Sequence, residues 1–337
     1  MSDAPAKAES LAALVRPVEA GAHVVAAAFL GEVAAFALGD GDVVLAGTSS
    51  TERVALHPNA GILAAAGDGE RLVTGGDDGR VVHLSSEGKA ETLAETGGWI
   101  DAVALGAGGA VAWSAGKSVT ARDDKGWQAS LAVSSAARGL AFSPKGFQLA
   151  ITKYGGATLW FPRVAAAPKE LVWKGSHLDV TWSPDARFVV STMQENALHG
   201  WRVADGAHMR MTGYPAKTRS LSWSGDGKWL ASSGADAAVL WPFQSKDGPM
   251  GKAPREIGLR PARVTCVAFH PTAPVVALGY LDGCILLARL GDNSELMARP
   301  PAGDGETVTA LAWSKNGRHL AFGTADGQAG VLTLPRT

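Results

Sequence analysis

Two cysteines in 337 residues, Cys266 and Cys284, are too few for a disulfide framework and read as reduced thiols of a cytoplasmic protein. Charge of neither sign dominates. Thirty-one Lys+Arg stand against 32 Asp+Glu, a net charge of −1, with no basic excess or stripe of the kind nucleic acid requires. The N-terminus lacks an apolar run behind a basic start, which excludes a secretory signal. One apolar stretch, residues 22–39, is interrupted by His23, Gly31 and Glu32. It barely reaches the about 20 residues of a membrane helix, with Glu32 near its middle, and is better read as two strands joined at Gly31-Glu32. No segment shows convincing helical periodicity.

Chemical motifs are equally scarce. Gly116-Lys117-Ser118 looks like the end of a phosphate-binding loop, but Val111 stands where that loop needs glycine, and no helix follows. Gly106-Ala107-Gly108-Gly109 fails as a dinucleotide fingerprint for want of glycine at the sixth position, and reads as a hairpin. The eight histidines are scattered. Cys266 and His270, four apart on a strand, stand roughly 13 Å from each other at about 3.3 Å per residue, too far to share a zinc ion directly. No Gly-x-Ser-x-Gly elbow occurs. These absences leave no catalytic residue, metal ligand or cofactor to name. A site assembled from several loops stays open.

What the chain has is a repeat. Small residue, apolar residue, aromatic, then Ser-Pro or its equivalent and a turn near Gly recur as Gly139-Leu140-Ala141-Phe142-Ser143-Pro144-Lys145-Gly146 and Asp179-Val180-Thr181-Trp182-Ser183-Pro184-Asp185-Ala186. The unit returns as Ser220-Leu221-Ser222-Trp223-Ser224-Gly225-Asp226-Gly227, and again over residues 266–273 and 310–317. The aromatics at 142, 182, 223, 269 and 313 are spaced by 40, 41, 46 and 44 residues, a period that marks an array of small units. Each is followed by runs of 4–7 residues rich in Val, Leu and Trp and bounded by Gly, Asp, Asn or Pro, which is strand grammar. A hydrophobic content of 46% supplies a core, and 42 glycines suit many tight turns.

Carrying the register backwards adds three weaker units, giving inner strands that begin near 24, 61, 100, 137, 178, 218, 264 and 308. The last unit stops after three strands, and the spare run Leu11-Ala12-Ala13-Leu14-Val15 is able to supply the fourth, closing the ends of the chain together. The expected architecture is all-β: eight four-stranded units, with seven as the alternative. A flexible tail is expected over residues 1–10 and one closed domain over 11–337. Loops are expected over residues 162–168 and 242–254.

The chain resembles a WD40-repeat β-propeller over about residues 11–335. The resemblance is carried by the inner-strand motif, by Thr74-Gly75-Gly76-Asp77-Asp78-Gly79, and by third strands ending in Trp160, Trp201 and Trp241. The dipeptide Trp-Asp never occurs, since those tryptophans precede Phe, Arg and Pro. The family's buried Asp-His-Ser/Thr-Trp network is therefore incomplete in most units. Only the second keeps a His-Asp pair, His57 with Asp78, and there Leu84 stands for Trp. This marks a divergent member, and the Ala- and Gly-rich composition suggests a bacterial one.

In such a fold the start of each inner strand and the loop between second and third strands share one rim. Four residues before the aromatic position stand Asp101, Arg138, Leu178, Arg219, Thr265 and Thr309. With their neighbours they give a candidate partner-binding rim of Trp99, Asp101, Arg138, Tyr154, His177, Arg219 and Tyr280, residue types that combine apolar area with directional hydrogen bonds. The alternative is that Arg138 and Arg219 pair with aspartates of adjacent units. Trp160, Trp182, Trp201, Trp223, Trp241 and Trp313 fill the space between units, while Trp127 and Trp173 have no assigned role. The resulting expectation is a cytoplasmic, non-catalytic platform for a protein partner, monomeric on its own, without a cofactor and binding neither nucleic acid nor membrane. The alternatives are an accessory of bacterial zinc homeostasis and a small-ligand or catalytic propeller with its site at the central channel.

Overall fold

The computed structural model describes residues 9–303 and 305–335. Among them the regular structure is strand, apart from one 3-10 turn at Ala12–Leu14. Inner strands lie at Val24–Leu30, Ile62–Gly67, Ala102–Leu105, Gly139–Phe142, Leu221–Trp223, Val264–Phe269 and Val308–Trp313, with an eighth forming the second half of Lys169–Trp182. Each is the innermost member of an antiparallel meander, as short alternating strands joined mostly by turns of two to six residues require.

The repeated motif has a physical cause at each of its positions. The serine hydroxyl closes the first hairpin: Phe188 N donates to Ser183 Oγ at 2.9 Å, Trp229 N to Ser224 Oγ at 3.0 Å and His319 N to Ser314 Oγ at 2.9 Å. The aromatic staples its repeat to the one before. Trp182 Nε1 donates to Ala141 O, Trp223 Nε1 to Thr181 Oγ1 and Trp313 Nε1 to Ala268 O, each at 3.0 Å. A ring that spans neighbouring repeats buries a large apolar area and satisfies its N–H in one stroke. The period of about 40 residues is thus the spacing of these staples.

Among the described residues seven sheets form, not eight, which corrects the count in favour of the stated alternative. Six are four-stranded sets, one of them extended by a fifth short strand, and one is six-stranded. The difference arises at one place. Residues 169–172 pair with 156–159, and residues 177–182 of the same continuous strand pair with 189–193. Only Trp173-Lys174-Gly175-Ser176 separate the two stretches, fewer than the six or more residues that join one sheet to the next elsewhere between residues 51 and 313. The outer strand of the fourth repeat therefore runs directly into the inner strand of the fifth, and the two repeats share a sheet.

The N-terminal strand also falls elsewhere than expected. The run 11–15 is mostly the 3-10 turn, and the strand is Val15–Glu19, antiparallel to Gln328–Thr333 with Val18 opposite Ala329. Pro17 is tolerated because this strand lies at the edge of its sheet. Glu9–Ser10 pairs in parallel with Glu295–Arg299, while residues 1–8 of the expected tail lie outside the described residues. First and last inner strands lie side by side: Thr309 Oγ1 donates to Val24 O at 2.7 Å. Gly323 leaves room there, since a Cβ at that position would stand 2.3 Å from Val24 Cγ1. The other sequence features fall in order. Residues 31–32 turn between Val24–Leu30 and Val33–Leu38, and Gly116 turns with φ of 56° between Val111–Ala115 and Ser118–Arg122. Pro242 ends a strand, and the long loop begins after it. Among the described residues no helix is long and apolar enough to cross a membrane.

Candidate interaction face

The position four residues before the aromatic lies where neighbouring inner strands meet. Thr265 Oγ1 donates to Val308 O at 2.6 Å, making the same inter-sheet contact as Thr309 with Val24. At Arg138 the contact becomes an ion pair: its Nη1 is 3.2 Å from Asp101 Oδ1. Asp101 also accepts from Gly116 N at 2.8 Å, which fixes it against the adjacent turn. The alternative reading of Arg138 as a cross-sheet partner of an aspartate is therefore part of its role, although its side chain remains 56% exposed. Arg219 is exposed, and its backbone N–H is bound by Ser233 Oγ at 3.2 Å.

These contacts put the starts of the inner strands at one end of the sheets, together with the turns between second and third strands. Two aromatics stand out there with little cover, Trp99 at 67% and Tyr154 at 68% exposure. The Tyr154 backbone N–H donates to Ser135 Oγ at 3.0 Å in the loop leading to Arg138. Two of the seven rim residues do not reach the surface, and this corrects the expectation. His177 is fully buried between Ser191 Oγ, 2.7 Å from Nδ1, and Trp173 O, 3.1 Å from Nε2. Tyr280 is fully buried, and its hydroxyl donates to Gly258 O. Both stand where the fold needs a buried polar link between loop and strand, so their polar atoms are consumed internally.

The same link explains the divergent network. In the second repeat His57 Nδ1 is 3.0 Å from Asp78 Oδ1, and Nε2 is 2.9 Å from Thr74 Oγ1. In the sixth, Tyr214 takes the place of the histidine. Its hydroxyl lies 2.6 Å from Ser232 Oγ and accepts from Trp241 Nε1 at 2.6 Å. Burial pushes the Tyr214 hydroxyl up to about 12, so it stays neutral. A search for Asp-His pairs misses this tyrosine, although its distance from Trp241 in the chain is a usable signal.

The channel between the inner strands opens at this end into a cavity of about 750 Å³. Its lining includes Lys217, Arg219, Arg263 and Asp179. Arg219 was among the expected rim residues. Lys217 and Arg263 were not, although they lie two residues before Arg219 and before Thr265, within reach of the same register. Protein surrounding Asp179 raises its carboxyl above the usual carboxylate range. Cys266 is buried with its thiol pushed up to about 12 by desolvation, and Sγ contacts Val308 O at 3.3 Å. His270 Nε2 is 3.0 Å from Gly317 O, so these two side chains serve separate neighbours. Among the described residues no three His, Cys, Asp or Glu side chains gather as a metal cradle.

Two family models match parts of the chain: the WD domain, G-beta repeat, over residues 209–240, and the Anaphase-promoting complex subunit 4 WD40 domain over residues 267–335. Over these segments the chain is similar to WD40-repeat proteins, and its seven meandering sheets accord with a β-propeller. Similar curated proteins agree. WD repeat-containing protein 55 of Homo sapiens is 25% identical over 200 residues, 57% of this chain and 50% of its own length. WD repeat-containing protein 1-B of Xenopus laevis is 37% identical over 82 residues, 23% of this chain and 14% of its own. A subunit of Chromatin assembly factor 1 from Gallus gallus is 32% identical over 124 residues, 30% of this chain and 22% of its own. The propeller spans half or less of the length of these relatives. All three are vertebrate proteins, whereas the composition suggested a bacterial member. Among solved structures the computationally designed Ika8 protein superposes with a TM-score of 0.74 at 19% identity, covering 94% of this chain and 98% of that one, a likeness of fold alone.

Proposed function

We propose that this propeller is a non-catalytic platform that docks a protein partner on the face bearing Trp99, Asp101, Arg138, Tyr154 and Arg219. The observation that carries the reading is the pair of exposed aromatics. Trp99 and Tyr154 hold large apolar surfaces in water at 67% and 68% exposure, beside a fixed charge pair, on a rigid scaffold. Aromatic and Arg side chains dominate binding energy where they become buried against a partner. Loops held by a rigid framework are the usual seat of such contacts. One matching family model and one similar protein are by name subunits of assemblies, which accords with this reading. The platform acts as a monomer in the cytoplasm before it meets its partner.

The test is affinity purification from the native cell, comparing wild type with Trp99→Ala/Tyr154→Ala. A stoichiometric protein is expected to co-purify with wild type and to be lost from the variant, with Kd weakened roughly thirtyfold or more, as for hot-spot truncations. Unchanged thermal stability of the variant separates loss of contact from loss of fold. Undiminished retention of the partner sinks this face.

A further inference from the structure

The channel mouth carries a charge pattern that the exposed aromatics do not use. Lys217, Arg219 and Arg263 line the cavity from the loops before two neighbouring inner strands. Two acids of the adjoining loops are engaged elsewhere, Asp282 with Arg260 at 3.3 Å and Glu306 with Arg299, while Asp236, exposed beside Arg260, is not part of the lining. Among the described residues none of the three cations has a carboxylate within 4.0 Å. The single acid of the lining, Asp179, belongs to the preceding inner strand and pairs with none of them. Like charges gathered in one concavity focus the field and concentrate an anionic ligand. A cavity of about 750 Å³ falls in the size range of ligand pockets, about 300–1,000 Å³.

Two leucines decide what kind of anion fits. Leu281 lines the cavity at 46% exposure, and Leu259, outside the lining, stands 69% exposed in the loop that carries Arg263. A free inorganic anion has no use for an exposed leucine in the lining or a second one along the loop. A peptide that presents carboxylates together with an apolar side chain uses both. We propose that an acidic peptide segment of the partner enters the channel mouth, its carboxylates against Lys217, Arg219 and Arg263 and an apolar side chain on Leu259 and Leu281. This inference rests on the platform reading and names the chemistry of what docks.

The full chain is titrated, by fluorescence polarisation, against labelled acidic hexapeptides carrying one leucine in each register. Counterparts with Gln and Asn in place of the acids serve as controls, and inorganic phosphate as competitor. Acidic peptides are expected to bind at least about tenfold tighter than their neutral counterparts, with affinity falling as salt rises. Lys217→Gln, Arg219→Gln and Arg263→Gln are each expected to weaken binding about two- to fivefold, and their combination more. Asp179→Asn is expected to tighten it by removing the opposing charge, and Leu259→Ser to weaken it. The proposal is overturned if no acidic peptide binds, if neutral peptides bind equally, or if the triple variant is unaffected. It is also overturned if phosphate displaces the peptide at equal concentration while Leu259→Ser has no effect, which makes the cavity a site for a small anion. If these peptides fail while Trp99→Ala/Tyr154→Ala still releases the partner, the platform stands and only the acidic segment falls.

Discussion

Trp241 Nε1 donates to the Tyr214 hydroxyl at 2.6 Å, and the same hydroxyl lies 2.6 Å from Ser232 Oγ. All three groups are buried; the Ser232 hydroxyl also donates to Val239 O at 3.0 Å, so it is the indole N–H that depends on Tyr214. Tyr214→Phe leaves the indole N–H without an acceptor while Ser232 keeps Val239 O at 3.0 Å, and is expected to lower unfolding free energy by about 1–3 kcal/mol in urea denaturation. In a Trp241→Phe background the same change is expected to cost less, because one orphan is already gone. Equal costs in both backgrounds would refute the coupling.

The N-terminal strand makes the last sheet four-stranded. Val15–Glu19 pairs with Gln328–Thr333, and Val18 is buried against the packing shared by the first and last repeats. Deleting residues 1–19 removes that row of hydrogen bonds and exposes an edge, so a lower melting temperature and a tendency to aggregate are expected. Val18→Asp, which buries a charge without a partner, is expected to reproduce the loss by several kcal/mol. Wild-type melting of both variants would show that the ring does not need this strand.

His199 is fully buried and stacked on Trp173 at 4.2 Å between ring centroids, and among the described residues neither of its ring nitrogens has a hydrogen-bond partner. Burial, followed by the charges of His177, His208 and Arg210, holds its pKa down to about 3. Between the unfolded value of about 6.5 and this value the unfolded chain binds a proton that the folded chain refuses. The stability is complete above pH 6.5 and is lost as pH falls towards 3. His177, also lowered by burial, acts in the same sense. Denaturation midpoints are expected to fall from pH 7 to pH 4, and His199→Phe to flatten part of that slope while keeping the stack. At pH 7 this variant is expected to be as stable as wild type or more so, since two unpaired polar atoms leave the core. An unchanged pH slope in His199→Phe would exclude this histidine as the cause.

The repeat was legible because its aromatic and serine do local, repeated work. Trp182 and Ser183 make bonds set by a fixed register, and such a register shows in any single copy. The merging of the fourth and fifth repeats was not legible. It depends on how few residues separate residue 172 from residue 177, and strand grammar gives no measure of whether a chain turns or continues. The N-terminal strand was placed four residues early because Leu11 to Val15 is more apolar than Val15 to Glu19, while pairing with Gln328–Thr333 selects the latter. On the rim, Trp99 and Tyr154 were named from residue type and position and stand exposed, but type and position do not report burial. His177 and Tyr280 fit the same description and lie inside the fold.

The unbroken strand Lys169–Trp182 means that two repeats cannot open one at a time. Elsewhere a fluctuation that frees one meander can stop at a loop. Here the amides on either side of Gly175 belong to a single length of backbone, tied to Gly156–Leu159 at one end and to Val189–Met193 at the other. Peeling one end strains the other, so these amides form one cooperative block of exchange. A break introduced at most loops of the ring leaves that block whole. A break at Gly175 divides the strand that the fourth and fifth repeats share.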